Sequence, residues 1–170
     1  MSDEVFRPFE TALDRDGALA KLREATAGAD DGELFLERRR AEALVFEDGR
    51  VKTASYDAAE GFGLRAVRGE VAGYAHSSDI SEPALARAVD TARLAVGDGG
   101  GHMADAPAPT NRRLYTDADP IAGATFPVKI DTLREIDAFA RDLDARVVQV
   151  SATIAASCQE VEILRADGTH

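Results

Sequence analysis

The chain has 170 residues, enough for one domain or two very small ones, and folding at this size buries roughly 70% of the surface an unfolded chain exposes. Its apolar fraction of 45% and charged fraction of 30% are ordinary for a soluble globular domain, and with no Trp the core must come mainly from Ala, Val, Leu and Ile. The net charge of −11 argues against duplex binding, which needs a basic face to displace counterions, and against an anionic membrane surface; Arg38-Arg39-Arg40 is the one basic cluster and sits among acids.

Taken in order, the first element is a helix from Asp16, as cap, to about Arg23, with Leu19 and Leu22 on one face. Gly28 and the acidic turn Asp30-Asp31-Gly32 stop it. Glu33–Glu37 and Ala43–Phe46 read as short strands, and Asp48-Gly49 is the strongest hairpin signal, because a two-residue type I′ turn needs φ > 0 at both central positions. Val51–Tyr56 returns. Gly61–Val67 and Val71–His76 form a second hairpin around Gly69-Glu70, with Gly63 and Gly73 marking bulges or close backbone approach.

Ser81 caps the next helix, with Glu82 and Pro83 in its first turn and Leu85, Val89, Ala92 and Val96 as one apolar stripe. Residues 97–112 are rich in Gly and Pro and read as a flexible linker. A third helix spans about Lys129 to Asp144, with Leu133, Ile136, Ala140 and Leu143 facing one way. Strands follow at Val147–Ile154 and Glu160–Arg165. The expected fold is α+β: a curved, mostly antiparallel sheet of six or seven strands with about three helices packed on one face, residues 1–170 forming a single domain.

The pattern helix, strand, strand, Asp-Gly occurs at 16–49 and again at 129–168. In the first copy the turn leads into a returning strand; in the second the sequence stops. An unpaired half-hairpin is an edge that proteins normally avoid, so the chain is expected to be the N-terminal domain of a longer protein.

Few residues invite chemistry. Gly61-Phe62-Gly63-Leu64-Arg65-Ala66 matches G-x-G-x-x-A, but it leads into a strand-like run where a dinucleotide site needs a helix. Gly99-Gly100-Gly101 lacks the Lys-Ser/Thr of a phosphate loop. Cys158 is the single cysteine, which fits a reducing compartment, and with no His near it in sequence it reads as an inert thiol. His76, beside Tyr74 and Asp79, either lines a peptide site or ends a strand in solvent. Arg65 either meets a peptide carboxylate or pairs with Glu60 or Glu70. The candidate peptide-binding set is therefore Arg65, Tyr74, His76 and Asp79, with no catalytic or metal residue. The acidic start lacks the apolar run of a signal peptide, and no stretch approaches the ~20 apolar residues that span a bilayer.

One longer resemblance runs through the chain. Glu47-Asp48-Gly49-Arg50-Val51-Lys52, Ser55-Tyr56-Asp57, Gly61–Val67, Gly69-Glu70, Gly73-Tyr74-Ala75 and Ser78-Asp79 resemble the N-terminal part of the TldD family, the TldD/PmbA zinc metallopeptidases. Leu114-Tyr115, Asp119-Pro120, Val147–Ser151 and Gln159–Gly168 extend it over about residues 16–168. The resemblance implies a cytoplasmic protein that pairs with a TldD/PmbA-type partner subunit, or with itself, and acts on peptides. It also implies zinc held by a His-Glu-x-x-x-His helix in the family's second half. None of His76, His102 and His170 is followed by Glu, so no cofactor is expected on these residues, and zinc is expected in the full-length protein. The reading is a substrate-recognition and assembly domain, inactive alone, that binds an extended peptide by adding it to a sheet edge. The alternative is a non-catalytic interaction module, since family members have carried the label modulator of DNA gyrase.

Overall fold

The computed structural model describes residues 5–97 and 118–169. Its elements are α1 (Pro8–Thr11), α2 (Arg15–Ala25), β1 (Asp31–Glu47), β2 (Arg50–Arg68), β3 (Val71–Ser77), α3 (Glu82–Val96), α4 (Phe126–Leu143) and β4 (Ser151–Arg165). The fold is α+β: helices pack on an open four-stranded antiparallel sheet of order β3-β2-β1-β4. The linker expected at 97–112 lies outside the described residues except Gly97, which ends α3 at φ 70°.

Four strands, three of them long, stand where six or seven short ones were expected. Glu33–Glu37 and Ala43–Phe46 are one strand, as are Val51–Tyr56 and Gly61–Val67; Ile154 and Glu160–Arg165 share β4, whereas Val147 to Val150 precede it. The charged residues inside β1 have their partners on other segments. Arg38 Nη2 reaches Glu160 Oε2 at 2.9 Å, and Arg40 Nη1 reaches Asp119 Oδ2 at 3.0 Å. The repeat accordingly becomes helix, one strand, Asp-Gly turn: α2-β1-Asp48-Gly49 and α4-β4-Asp167-Gly168. The Asp48-Gly49 turn forms as expected, with φ of 48° and 80°.

The described residues divide into two compact units: 5–38, 59–97 and 160–169 in the first, 39–58 and 118–159 in the second. In the first, Leu34, Leu36, Phe62, Leu64, Ala75 and Leu164 project from alternate strand positions onto Leu22 of α2 and Leu85 and Val89 of α3. Each such large side chain contributes about 1.5–3 kcal/mol of burial. Asp14, not Asp16, caps α2: its Oδ2 accepts the Gly17 N–H at 2.7 Å, while Asp16 sits inside the first turn. Ser81 caps α3 as expected, accepting from the Ala84 N–H at 3.4 Å. At Gly73 a Cβ would meet Ala92 O at 2.6 Å, so the absent side chain is what lets α3 lie against β3.

The second unit has a smaller core of Leu44, Phe46, Ile130 and Leu133, with Ala152 and Ile154 packed against it. The inward stripe of α4 is Lys129, Ile130, Leu133 and Asp137. This corrects the expected stripe, since Ile136 and Leu143 are exposed. Two charged residues can face inward because both are paired: Lys129 Nζ donates to Glu42 Oε1 at 2.6 Å and Ile121 O at 2.7 Å, and Asp137 accepts Arg141 Nε at 3.2 Å.

Candidate functional site

In the first unit the β2–β3 register pairs Arg65 with Tyr74 and Gly63 with His76. Opposed residues of an antiparallel pair share a face, so Arg65, Tyr74 and His76 meet on the side of the sheet opposite Leu64 and Ala75. The Tyr74 and His76 rings stack, with centroids 5.7 Å apart and planes at 28°. Tyr74 lies over Gly63, where a Cβ would come within 2.6 Å of its hydroxyl oxygen and 3.1 Å of its ring. Together with Phe35, Glu37, Glu60 and Ser78 the two rings line a cleft of about 300 Å³.

Arg65 shares that face but turns toward β1. Its Nε donates to Glu33 Oε1 at 3.1 Å and its Nη2 to Asp31 Oδ2 at 3.3 Å, so its partners are not the Glu60 or Glu70 suggested by sequence. Arg165 Nη2 takes the other Asp31 oxygen at 2.7 Å. Asp79 stands apart from the rings. Its N–H donates to Ser77 Oγ at 3.0 Å and its Oδ2 accepts the Ser81 hydroxyl at 2.9 Å, which braces the start of α3. Sequence reasoning missed Phe35 and Glu37, because only the β1–β2 pairing brings them beside Gly61 and Gly63.

In the second unit every β2 residue from 50 to 58 is exposed. β3 pairs only with residues 62–68, so the edge of 50–58 that faces away from β1 has no strand beside it among the described residues. The stretch RVKTASYDA has no Pro and only Arg50 and Lys52 as cations, so it lacks most devices that blunt an edge. The hairpin end beside it is firmly held. Asp48 Oδ1 accepts the Val150 N–H at 3.1 Å and Arg141 Nη2 at 2.7 Å. The Val150 N–H first, and then Arg141, hold the Asp48 carboxyl below its ordinary range.

Cys158 is half-buried with Arg40 Nη2 at 3.8 Å from its Sγ. Among the described residues no three His, Cys, Asp or Glu side chains converge, so the described residues offer no ligand set for a zinc ion. No described helix is long and apolar enough to cross a membrane.

The PmbA/TldA metallopeptidase domain 1 matches residues 32–96, the segment on which the sequence resemblance is densest. The chain matches the N-terminal part of the TldD/PmbA family. It is 30% identical over 156 residues to the metalloprotease TldD homolog of Buchnera aphidicola (subspecies Acyrthosiphon pisum), covering 91% of this chain and 32% of that protein. To the Haemophilus influenzae TldD homolog it is 31% identical over 145 residues, covering 82% and 30%. The chain thus spans about a third of the length of these curated TldD relatives.

Among solved structures, a Thermotoga maritima protein named as a modulator of DNA gyrase has TM-score 0.73 at 13% identity, covering 92% of this chain and 35% of that one. TldE from Thermococcus kodakarensis has TM-score 0.64 at 16% identity, covering 89% and 35%. These two likenesses show a shared fold.

Proposed function

We propose that this chain is the substrate-recognition and assembly part of a TldD-like zinc metallopeptidase, binding an extended peptide as an added strand on β2. The observation that carries the reading is the unpaired edge of residues 50–58, exposed along its length. Main-chain pairing there gives affinity that depends little on the peptide's side chains, as suits an enzyme acting on unfolded segments. Zinc and bond cleavage belong, in this reading, to the part of the family's length outside the match, and the setting is the cytoplasm. The test is fluorescence anisotropy with a labelled unstructured peptide and its twin N-methylated at alternate residues. Loss of about tenfold in affinity on methylation is expected, because each edge hydrogen bond is worth roughly 1 kcal/mol. Equal affinities would sink edge pairing.

A second reading, a non-catalytic interaction module joining a TldD/PmbA-type partner subunit or a second copy, is favoured by the outer face of α4. Phe139 and Leu143 are 66% and 68% exposed there, with Ile136 beside them at helical spacing. Phe139→Ser with Leu143→Ser is expected to shift stability by no more than about 0.5 kcal/mol while abolishing co-elution with the partner subunit. Retained co-elution would remove α4 from the interface.

A further inference from the structure

We infer that the cleft on the open face of the first unit is a subsite for an arginine side chain of a bound peptide; this rests on the peptide-recognition reading above. The trough follows from the strand order. Phe35 and Glu37 belong to β1, Gly61 and Gly63 to β2, and Tyr74 and His76 to β3, so three neighbouring strands line the cleft. The two glycines let β3 and its Tyr74 ring close in over β2. A Cβ at Gly63 would strike the Tyr74 hydroxyl at 2.6 Å, and one at Gly61 would strike Ser77 O at 2.5 Å.

The walls then select the occupant. Tyr74 and His76 are stacked on one side and Phe35 lies on the other, which suits a flat group that lies against ring faces. Two carboxylates, Glu37 and Glu60, line the same cleft, and no lysine or arginine does. Neither carboxylate has a hydrogen-bond or ion-pair partner among the described residues, in contrast to Asp31 and Glu33 on the same strand, which are both paired to Arg65. A planar guanidinium satisfies both demands at once: it stacks on aromatic faces and presents several donors to carboxylates. An ammonium meets only the charge, and a neutral apolar side chain would leave two carboxylates facing it unpaired. Arginine is therefore the residue that fits, with lysine weaker.

The test uses the intact chain and two labelled, otherwise neutral extended peptides, one with a central arginine and one with citrulline, which keeps the shape and removes the charge. The arginine peptide is expected to bind about tenfold more tightly, the scale of one desolvated cation–ring contact plus a charge-assisted hydrogen bond. Glu37→Gln with Glu60→Gln should erase that preference and leave the citrulline affinity within about twofold. Glu135→Gln with Asp142→Asn removes the same charge from α4 and should keep the preference. Equal binding of the two peptides to the unaltered chain overturns the subsite while leaving peptide recognition standing. So does a preference that survives the Glu37/Glu60 change, or one that the α4 control erases equally. Failure of both peptides to bind overturns peptide recognition itself, and the subsite with it.

Discussion

The two units are built from stretches of the same three long strands, yet they are finished differently. Among the described residues, the first gathers seventeen buried apolar residues from α2, α3, all four strands and the N-terminal segment into one cluster. Its opposite sheet face is held by ion pairs, Arg65 with Glu33 and Arg165 with Asp31. The second buries four, Leu44, Phe46, Ile130 and Leu133, and leaves Phe126, Val128, Ile136, Phe139 and Leu143 of its one helix exposed. In the assembly reading proposed above, that helix face is the one a partner covers. The comparison teaches a division of labour: the first unit has the core of a self-supporting fold, and the second offers an open strand edge and an apolar helix face.

The largest effect that tests this contrast comes from emptying each core. Leu64 and Leu133 are both fully buried, one in each unit. Leu64→Ala should cost about 3–4 kcal/mol, because surrounding side chains cannot collapse into the gap, and Leu133→Ala about 2–3 kcal/mol, because the thinner second core relaxes more easily. Native-state hydrogen exchange reads the two separately. Leu133→Ala should lower protection of α4 and of β1 residues 42–47 while β2 residues 62–68 keep theirs. A uniform loss along the chain would show that the two units open as one.

A second comparison holds distance constant and varies burial. Lys129–Glu42 in the second unit and Lys21–Glu82 in the first both span 2.6 Å. The first of these pairs has side chains 7% and 15% exposed, and the second 31% and 39%. Glu42→Gln leaves an ammonium buried with only a backbone carbonyl and an amide for company, and should cost about 3 kcal/mol. Glu82→Gln leaves a solvated lysine and should cost less than about 1 kcal/mol. Urea midpoints give both values, and near-equal costs would show that burial does not set the strength of the Lys129 pair.

How much of this was legible in the sequence depends on whether a signal is local. Asp48-Gly49 declared its turn because positive φ is a property of those two residues, and Ser81 declared its helix because a cap needs only its own next turn. The family resemblance likewise lay in short runs, and the match over 32–96 bears it out. That β1 runs on through Arg38 and Arg40 was hidden, because their partners Glu160 and Asp119 arrive from far along the chain. The inward face of α4 was hidden for the same reason: an apolar-only stripe passes over Lys129 and Asp137, whose burial depends on distant Glu42 and nearby Arg141. Tyr74 and His76 could be paired by their alternation, whereas their cleft needed Phe35 from a strand two places away.

The smallest expected effect concerns acid, and it treats the two units alike. Each strand of the repeat ends in an Asp-Gly turn whose carboxyl is held below its ordinary value of 3.8: Asp48 by the Val150 N–H and Arg141, and Asp167 by the Thr169 N–H and hydroxyl. A carboxyl whose folded pKa is depressed stabilises the fold fully above its unfolded pKa, and that contribution is lost as pH falls through the folded value. Both turns should therefore hold at neutral pH and weaken below about pH 4. Asp48→Asn and Asp167→Asn should each flatten the acid limb of the stability curve while changing little else, since Asn tolerates the φ of 48° at the first turn. The turns differ in one respect. Asp48 has a cationic partner and Asp167 is held chiefly by neutral donors, so added salt should shift the acid limb of the second unit more than that of the first. Hydrogen exchange at β1 residues 44–47 and at β4 residues 162–165, followed from pH 6 to about pH 3 at low and high salt, resolves the two. Identical salt responses would mean that the Arg141 charge contributes nothing to the hairpin end beside the open β2 edge.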